Sequence, residues 1–458
     1  MVVWKKNANF AKNIVFSYYY TLKIQRNTNL LVMSILSFHR TALPSPRRQC
    51  VLVLLLLTLS AAAQSAYDLG KPFGFATRSS RTDNAATYEV TGGGALTYPV
   101  TGVSDVVTLT SDGGDMKLAI ERAVMEHAVV ILDGSKGDFL LSSKVELVDL
   151  SGKTILGING ARLCTQWHIT QAMIDALNAA GVPGMSTSGG GGTLTNGKRV
   201  REQAEYNTRQ ILINLTGDSK ENYRSAGAIG MLRCNNFVIR NISFVGPGSI
   251  DISGSDLLTF TTCKNMWVDH CDFADGMDGN FDIGSASDFV TVSWCVFRYT
   301  ARSYMHQNTN LVGSSDSEPQ GSLNVTFANN VWGENCRARM PMGRDGKIHM
   351  LNNYYDCKGN ITACINPRIY SEFLIEGNYF APGVKKVFSQ SKAEAWIWGS
   401  NNVISEPSVK VPKSSGTVTV PYDYTVIPAE ALPTELSKHA GATLFRRVCV
   451  MVIGGYGL

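Results

Sequence analysis

Two runs of side chains in this sequence carry most of its chemistry. The first is acidic, with Asp269, Asp272, Asp275, Asp278 and Asp282 between Trp267 and Ile283, and Asp256 shortly upstream. Carboxylates cannot crowd into a small volume without a counter-cation. A set made of oxygen ligands alone favours a hard ion, Ca²⁺ over Zn²⁺. The same run can also be read as a solvated loop whose Asp-Gly pairs form turns. Its spacing lacks the terminal Glu of an EF-hand. The second run is basic: Arg337, Arg339 and Arg344 between Cys336 and Gly346, with Arg368 further on. Guanidinium forks grip carboxylates bidentately, so an arginine row facing an acidic metal loop suits a carboxylate-bearing polyanion. The plainer alternative is that these arginines only neutralise the acidic run. The glycines at 189–192 lack the Lys-Ser/Thr ending of a phosphate-binding loop. No Cys-x-x-Cys pair occurs, which speaks against a zinc site.

A repeat would position both runs. From Asn236 onward, short strand-like segments end in a polar or small residue followed three places later by an aromatic. The pairs are Asn241/Phe244, His270/Phe273, Trp294/Phe297, Asn329/Trp332, Asn352/Tyr355 and Gly377/Phe380. A recurrence in the low-to-mid twenties, with strands outnumbering helices, predicts a solenoid whose coils bury their apolar faces on one another. In a parallel β-helix, Asn side chains at the bends would form hydrogen-bonded ladders and the aromatics would stack inside. An antiparallel sandwich would need hairpin turns, of which this stretch supplies few signals. Upstream, apolar spacing predicts a helix over 115–127 and strands at 128–132, 144–148 and 154–158. A second helix is expected at 168–180 and a long loop over 182–199.

Composition limits the partners. The chain has 458 residues and a formal charge of +5, but residues 1–64 hold eight Lys and Arg and no acidic residue. Residues 65–458 are left with 34 basic against 37 acidic side chains, a net of −3. That balance does not support nucleic-acid binding. Residues 51–59 are apolar, preceded by Arg47 and Arg48 and followed by Ala61, Ala62 and Ala63, the pattern of a secretory signal. A stretch so short does not span a membrane as a helix. With Met33 as a plausible initiator, residues 1–32 read as an extension and 33–63 as the signal. Of the ten cysteines, Cys50 falls in that signal, and Cys357 and Cys364 are the nearest candidates for pairing. Cys263, Cys271 and Cys295 read as small buried hydrophobes. The apolar end at 448–453 reads as a final capping strand.

Several segments in order make the stretch from about Lys153 to Phe380 resemble the pectate lyase family, polysaccharide lyase family 1. They are Trp267-Val-Asp-His270, Asp278-Gly-Asn-Phe-Asp-Ile283, Val290-Thr-Val-Ser-Trp294, Arg339-Met-Pro-Met-Gly-Arg344 and Ile348-His-Met-Leu-Asn-Asn-Tyr-Tyr355. The resemblance implies an all-β, right-handed parallel β-helix with short flanking helices and long loops, over residues 64–404, and a C-terminal segment at 405–458. It implies a secreted monomer acting on polygalacturonate or pectin, with Ca²⁺ as cofactor, no nucleic-acid partner and no membrane span. Asp256, Asp278 and Asp282 match the family's metal ligands, Arg339 its proton-abstracting arginine, and Arg344 and Arg368 its substrate-binding arginines. The family's substrate lysine has no direct counterpart: counting forward from Trp294 gives Arg302, counting back from Gly313 gives Asn308. Arg302 keeps the charge and is the expected substitute.

The implied reaction is β-elimination, in which a metal bridging the C6 carboxylate acidifies the C5 proton and arginines hold the developing charge. Proton abstraction by a guanidinium is demanding because that group is ordinarily charged. Neighbouring cations would favour its neutral form; otherwise Arg339 would position hydroxide or stabilise the carbanion. Three alternatives stay open on sequence. One is a pectin lyase on methyl-esterified substrate, which would not need Asp278 and Asp282. Another is a hydrolase using paired carboxylates. The third is a non-catalytic polyuronate-binding β-helix.

Overall fold

A computed structural model describes residues 72–78, 105–182, 200–217 and 223–444. The extension, the signal pattern with Cys50, the glycine run at 189–192 and the apolar end at 448–453 lie outside these residues. Within them the strands form three parallel sheets of ten, seven and nine strands. Each sheet takes one short strand from each successive coil, so the chain is a right-handed parallel β-helix, as the repeat predicts.

The first member of all six residue pairs is the corner of a coil. Asn241, His270, Trp294, Asn329, Asn352 and Gly377 all have φ between 48° and 64°, the left-handed region. A single such residue ends one strand and redirects the chain into the next sheet, which is why Asn and Gly recur there. The aromatic three places on points inward and stacks on its neighbours. Centroid distances run Phe244–Phe273 4.6 Å, Phe273–Phe297 5.2 Å, Phe297–Trp332 5.5 Å, Trp332–Tyr355 4.8 Å and Tyr355–Phe380 4.5 Å. The asparagine ladder exists, but one residue beyond the corner. Asn330 accepts from the Cys295 amide at 2.9 Å, Asn353 from Asn330 at 2.9 Å, Asn378 from Asn353 at 3.0 Å, and Asn402 from Asn378 at 2.9 Å. The corner side chains bond elsewhere, Asn241 with Leu444 and Asn352 with Thr425 and Ile427, while the asparagine after the corner accepts from an amide of the preceding coil.

The expected helices form at Lys117–Glu126 and Gln171–Ala179. A further helix, Val200–Thr216, has no counterpart in the sequence reading. Its apolar residues crowd into 211–215 instead of recurring at helical spacing. Residues 405–444 stay on the solenoid. Helix Leu432–His439 buries Leu432 and Leu436 against a surface that includes Val296, Val331 and Tyr354. Tyr422 bonds to Thr326 and His349 on the ten-stranded sheet. All eight described cysteines are buried thiols, and Cys357 and Cys364 lie side by side with sulfurs 3.5 Å apart, too far for a bond.

Candidate functional site

The outer face of the seven-stranded sheet collects the residues singled out above. Its strands run Val145–Val148, Ile229–Leu232, Leu258–Thr261, Phe281–Gly284, Leu311–Val312, Met342–Gly343 and Asn366–Pro367, all in parallel register. Asp256 precedes the third strand. Asp278 precedes the fourth, and Asp282 lies in it opposite Thr259. Arg339 and Arg344 flank the sixth, and Arg368 follows the seventh. Residues far apart in sequence thus form one row across successive coils, about 4.8 Å per step.

At the acidic end of the row, Asp256 is poorly satisfied. Asp256 accepts a long hydrogen bond from Thr259 at 3.4 Å through one oxygen. Its other oxygen, Oδ1, is fully covered and has no hydrogen-bond partner. Burial, then the charges of Asp282 and Asp278, push the Asp256 carboxyl well above the usual carboxylate range. Burial likewise dominates at Asp282, which is raised to about 7 although Arg339 and the Leu311 amide pull the other way. Gly279 keeps the space between them open: a Cβ there would lie 2.7 Å from Asp256 Oδ1 and 3.4 Å from Asp282 Oδ1. Covered, unpartnered carboxylate oxygen around a gap only glycine leaves is what a hard cation would occupy. The residues present therefore fit Ca²⁺.

Asp278, the third expected ligand, has a neighbour that the sequence reading missed. His306 Nε2 stands 2.9 Å from Asp278 Oδ1, and its Nδ1 stands 3.4 Å from Asp251. Burial lowers the imidazole's proton affinity, but the bonds and charges of Asp251 and Asp278 outweigh this and raise it to about 9. The ligating atoms of Asp251, Asp278 and His306 all lie within 4.8 Å of one another. Their arrangement is better read as an internal cation held between two carboxylates. No local pattern marks His306, because only coil stacking brings 251, 278 and 306 together.

Helix Val200–Thr216 secures this corner. Leu212 packs in one cluster with Ile250, Ile252, Met277 and Met305, the chain neighbours of Asp251, Asp278 and His306. Arg209 donates to the Ile252 carbonyl at 3.0 Å, and Ser253 donates to Glu205 at 2.5 Å.

At the basic end, Arg339 is half-buried in a left-handed conformation (φ 58°). Its carbonyl accepts from the Asn310 amide at 2.7 Å and Thr309 Oγ1 at 2.5 Å, which fixes the backbone. Its charge acts on both Asp256 and Asp282. Arg344 pairs with the exposed Asp316 at 2.7 Å and donates to the Gly313 carbonyl at 2.8 Å. Arg368 lines the same groove as Arg339. Arg337 turns to the Gly359 carbonyl at 2.6 Å.

Arg302 does not join the row. Its Nη1 donates to the Gly246 carbonyl at 3.0 Å and its side chain packs on Gly248. The residue that register brings beside Arg339 is Asn308, bridged in parallel to Ala338, with its amide 2.8 Å from His306 Nε2. The charge that made Arg302 the expected substitute counts for less than strand register, which favours counting back from Gly313.

A family model described as pectate lyase matches residues 192–444. Probable pectate lyase A of Aspergillus niger is 33% identical over 220 residues, 46% of this chain and 63% of the relative. Pectate lyase A of Emericella nidulans is 32% identical over 222 residues, covering 46% and 62%. The chain therefore covers less than two thirds of these relatives' own length. Among solved structures, a pectate lyase from Bacillus sp. N165 in complex with trigalacturonate aligns over 81% of this chain and 98% of its own, at 18% identity and a TM-score of 0.47.

Proposed function

The chain belongs to the pectate lyase family, and from that premise we propose that it cleaves de-esterified polygalacturonate by Ca²⁺-dependent β-elimination. The observation that carries the reading is the covered, unpartnered Asp256 oxygen beside Asp282, on the same sheet face as Arg339. A pectin lyase acting on neutral esters has no use for that carboxylate group.

Asp256, Asp278 and Asp282 would hold the metal. When bound, Ca²⁺ supplies positive charge to the C6 carboxylate, which makes the C5 proton more acidic. Arg339, in its neutral form after giving a proton to solvent, accepts that proton, the C4–O bond breaks with its electron pair going to oxygen, and a C4=C5 double bond forms. The leaving oxygen takes a proton from solvent. Arg344 and Arg368 grip neighbouring uronate carboxylates bidentately. Arg344 gives up Asp316 to do so, a small cost because Asp316 is largely exposed. Asn308 stands in the place of the family's lysine and offers an amide in place of a charge. Export is supported by the basic, apolar and small-residue pattern at 47–63.

The test is to incubate the protein with polygalacturonate and follow the ultraviolet absorbance of the unsaturated product, with Ca²⁺ and with a chelator. Absorbance should rise only with Ca²⁺. No rise in either condition would overturn the reading, and a rise indifferent to chelator would transfer it to esterified pectin.

A further inference from the structure

Asparagine, then any residue but proline, then Ser or Thr is the acceptor sequence for an N-linked glycan. The chain holds four: Asn214-Leu-Thr216, Asn241-Ile-Ser243, Asn324-Val-Thr326 and Asn360-Ile-Thr362. A glycan takes the place of one hydrogen on the side-chain amide. An occupied asparagine therefore needs open solvent around Nδ2 and loses one hydrogen-bond donor.

Three of the four cannot meet those terms in the fold. Asn241 is 1% exposed, and its Nδ2 donates to the Gly157 and Leu444 carbonyls, both at 2.8 Å. Asn324 is fully buried, and its Nδ2 donates to Asp288 at 2.7 Å. Asn360 is 6% exposed, and its Nδ2 donates to the Thr362 carbonyl at 2.7 Å and the Lys386 carbonyl at 2.8 Å. A sugar on any of these would displace a neighbouring coil or segment and leave a buried carbonyl unpaired.

Asn214 is exposed, near the end of helix Val200–Thr216. At about 100° per residue it stands about 200° round the helix from Leu212 and about 180° from Glu205. Those two side chains tie the helix to the segment around Asp251, so Asn214 lies on the opposite face. Its neighbour Leu215 is 46% exposed, apolar surface that a hydrophilic glycan would screen.

We infer that Asn214 is an N-glycosylation site of the exported protein and that Asn241, Asn324 and Asn360 stay unmodified. This rests on the export reading above and not on the polyuronate one. In the transfer, Asn214 Nδ2 bonds to C1 of an oligosaccharide carried on a lipid pyrophosphate. The C1–O bond breaks, its electron pair leaves with the pyrophosphate, and the amide gives one proton to a base of the transferase.

The full chain secreted from a eukaryotic culture tests it. Peptides of the protein in the medium are read by mass spectrometry after enzymatic glycan removal in heavy-oxygen water, which marks each formerly occupied asparagine as labelled Asp. The label should fall on residue 214 and on none of 241, 324 and 360. Asn214→Gln and Thr216→Ala should each abolish it, and Thr216→Ser should keep it. Secreted protein with Asn214 unlabelled, or with label at any of the other three, would overturn the inference. If the chain does not reach the medium, the export reading itself fails. The site is then judged on the full chain behind a supplied secretory leader, where the same two results overturn it.

Discussion

Arg339 and Asp282 act on the same small volume from opposite signs of charge, and their substitutions should separate binding from chemistry. Arg339→Ala should lower kcat by at least ~10²-fold while leaving the affinity for trigalacturonate within about threefold. Absorbance assays paired with calorimetry check this, and a loss confined to affinity would reassign Arg339 to substrate grip. Asp282→Asn should weaken Ca²⁺ binding by about ten- to a hundredfold, read by titration of the protein with the ion alone. The acidic group also sets a pH dependence whose sign follows from its shifts. Asp282 is raised from 3.8 to about 7, so its contribution to stability is full below 3.8 and is lost as pH rises through about 7. His306 is raised from 6.5 to about 9, so its contribution is full below 6.5 and is lost as pH rises through about 9. Chelated protein should therefore unfold at steadily lower temperature from about pH 5 to about pH 9, with Ca²⁺ restoring most at the alkaline end. A Tm gap between chelated and Ca²⁺-loaded protein that stays constant with pH would contradict the assignment.

The elements that position these groups differ in how openly the sequence declares them. Corner residues and stacked aromatics repeat on a fixed offset, so the coils from Asn241 to Phe380 are legible. Helix Val200–Thr216 is not, because its apolar residues are gathered at one end, and what holds it is the tertiary surface formed by Ile250, Ile252 and Met277. Cutting its tie to the Asp251–Asp256 loop with Arg209→Ala should reduce Ca²⁺ affinity several-fold although Arg209 touches no expected ligand. Ion titration checks this. The ladder gives a second test. Asn353 accepts from the Asn330 amide and donates to the Phe327 carbonyl at 3.0 Å. Asn353→Ala would leave buried polar groups unpaired and should cost about 2–4 kcal/mol in urea unfolding. A cost below about 1 kcal/mol would mean that the ladder is not a stability element.

Across the whole molecule, stability runs along the solenoid axis through the aromatic stack. Phe297 sits at its middle between Phe273 and Trp332, fully buried. Phe297→Ala should cost about 3–5 kcal/mol, with one cooperative transition by fluorescence and circular dichroism if neighbouring coils unfold together. The sequence by itself determined the class of fold, the six corners and the run of acidic and basic residues, because each depends on residue type at a short, repeating separation. Only the tertiary structure decided which of them meet. Stacking in register places Asn308, not Arg302, beside the Arg339 coil and slips His306 between Asp251 and Asp278. Each outcome depends on which residues face one another across coils. Loops of unequal length separate those coils, and no spacing along the chain reports that.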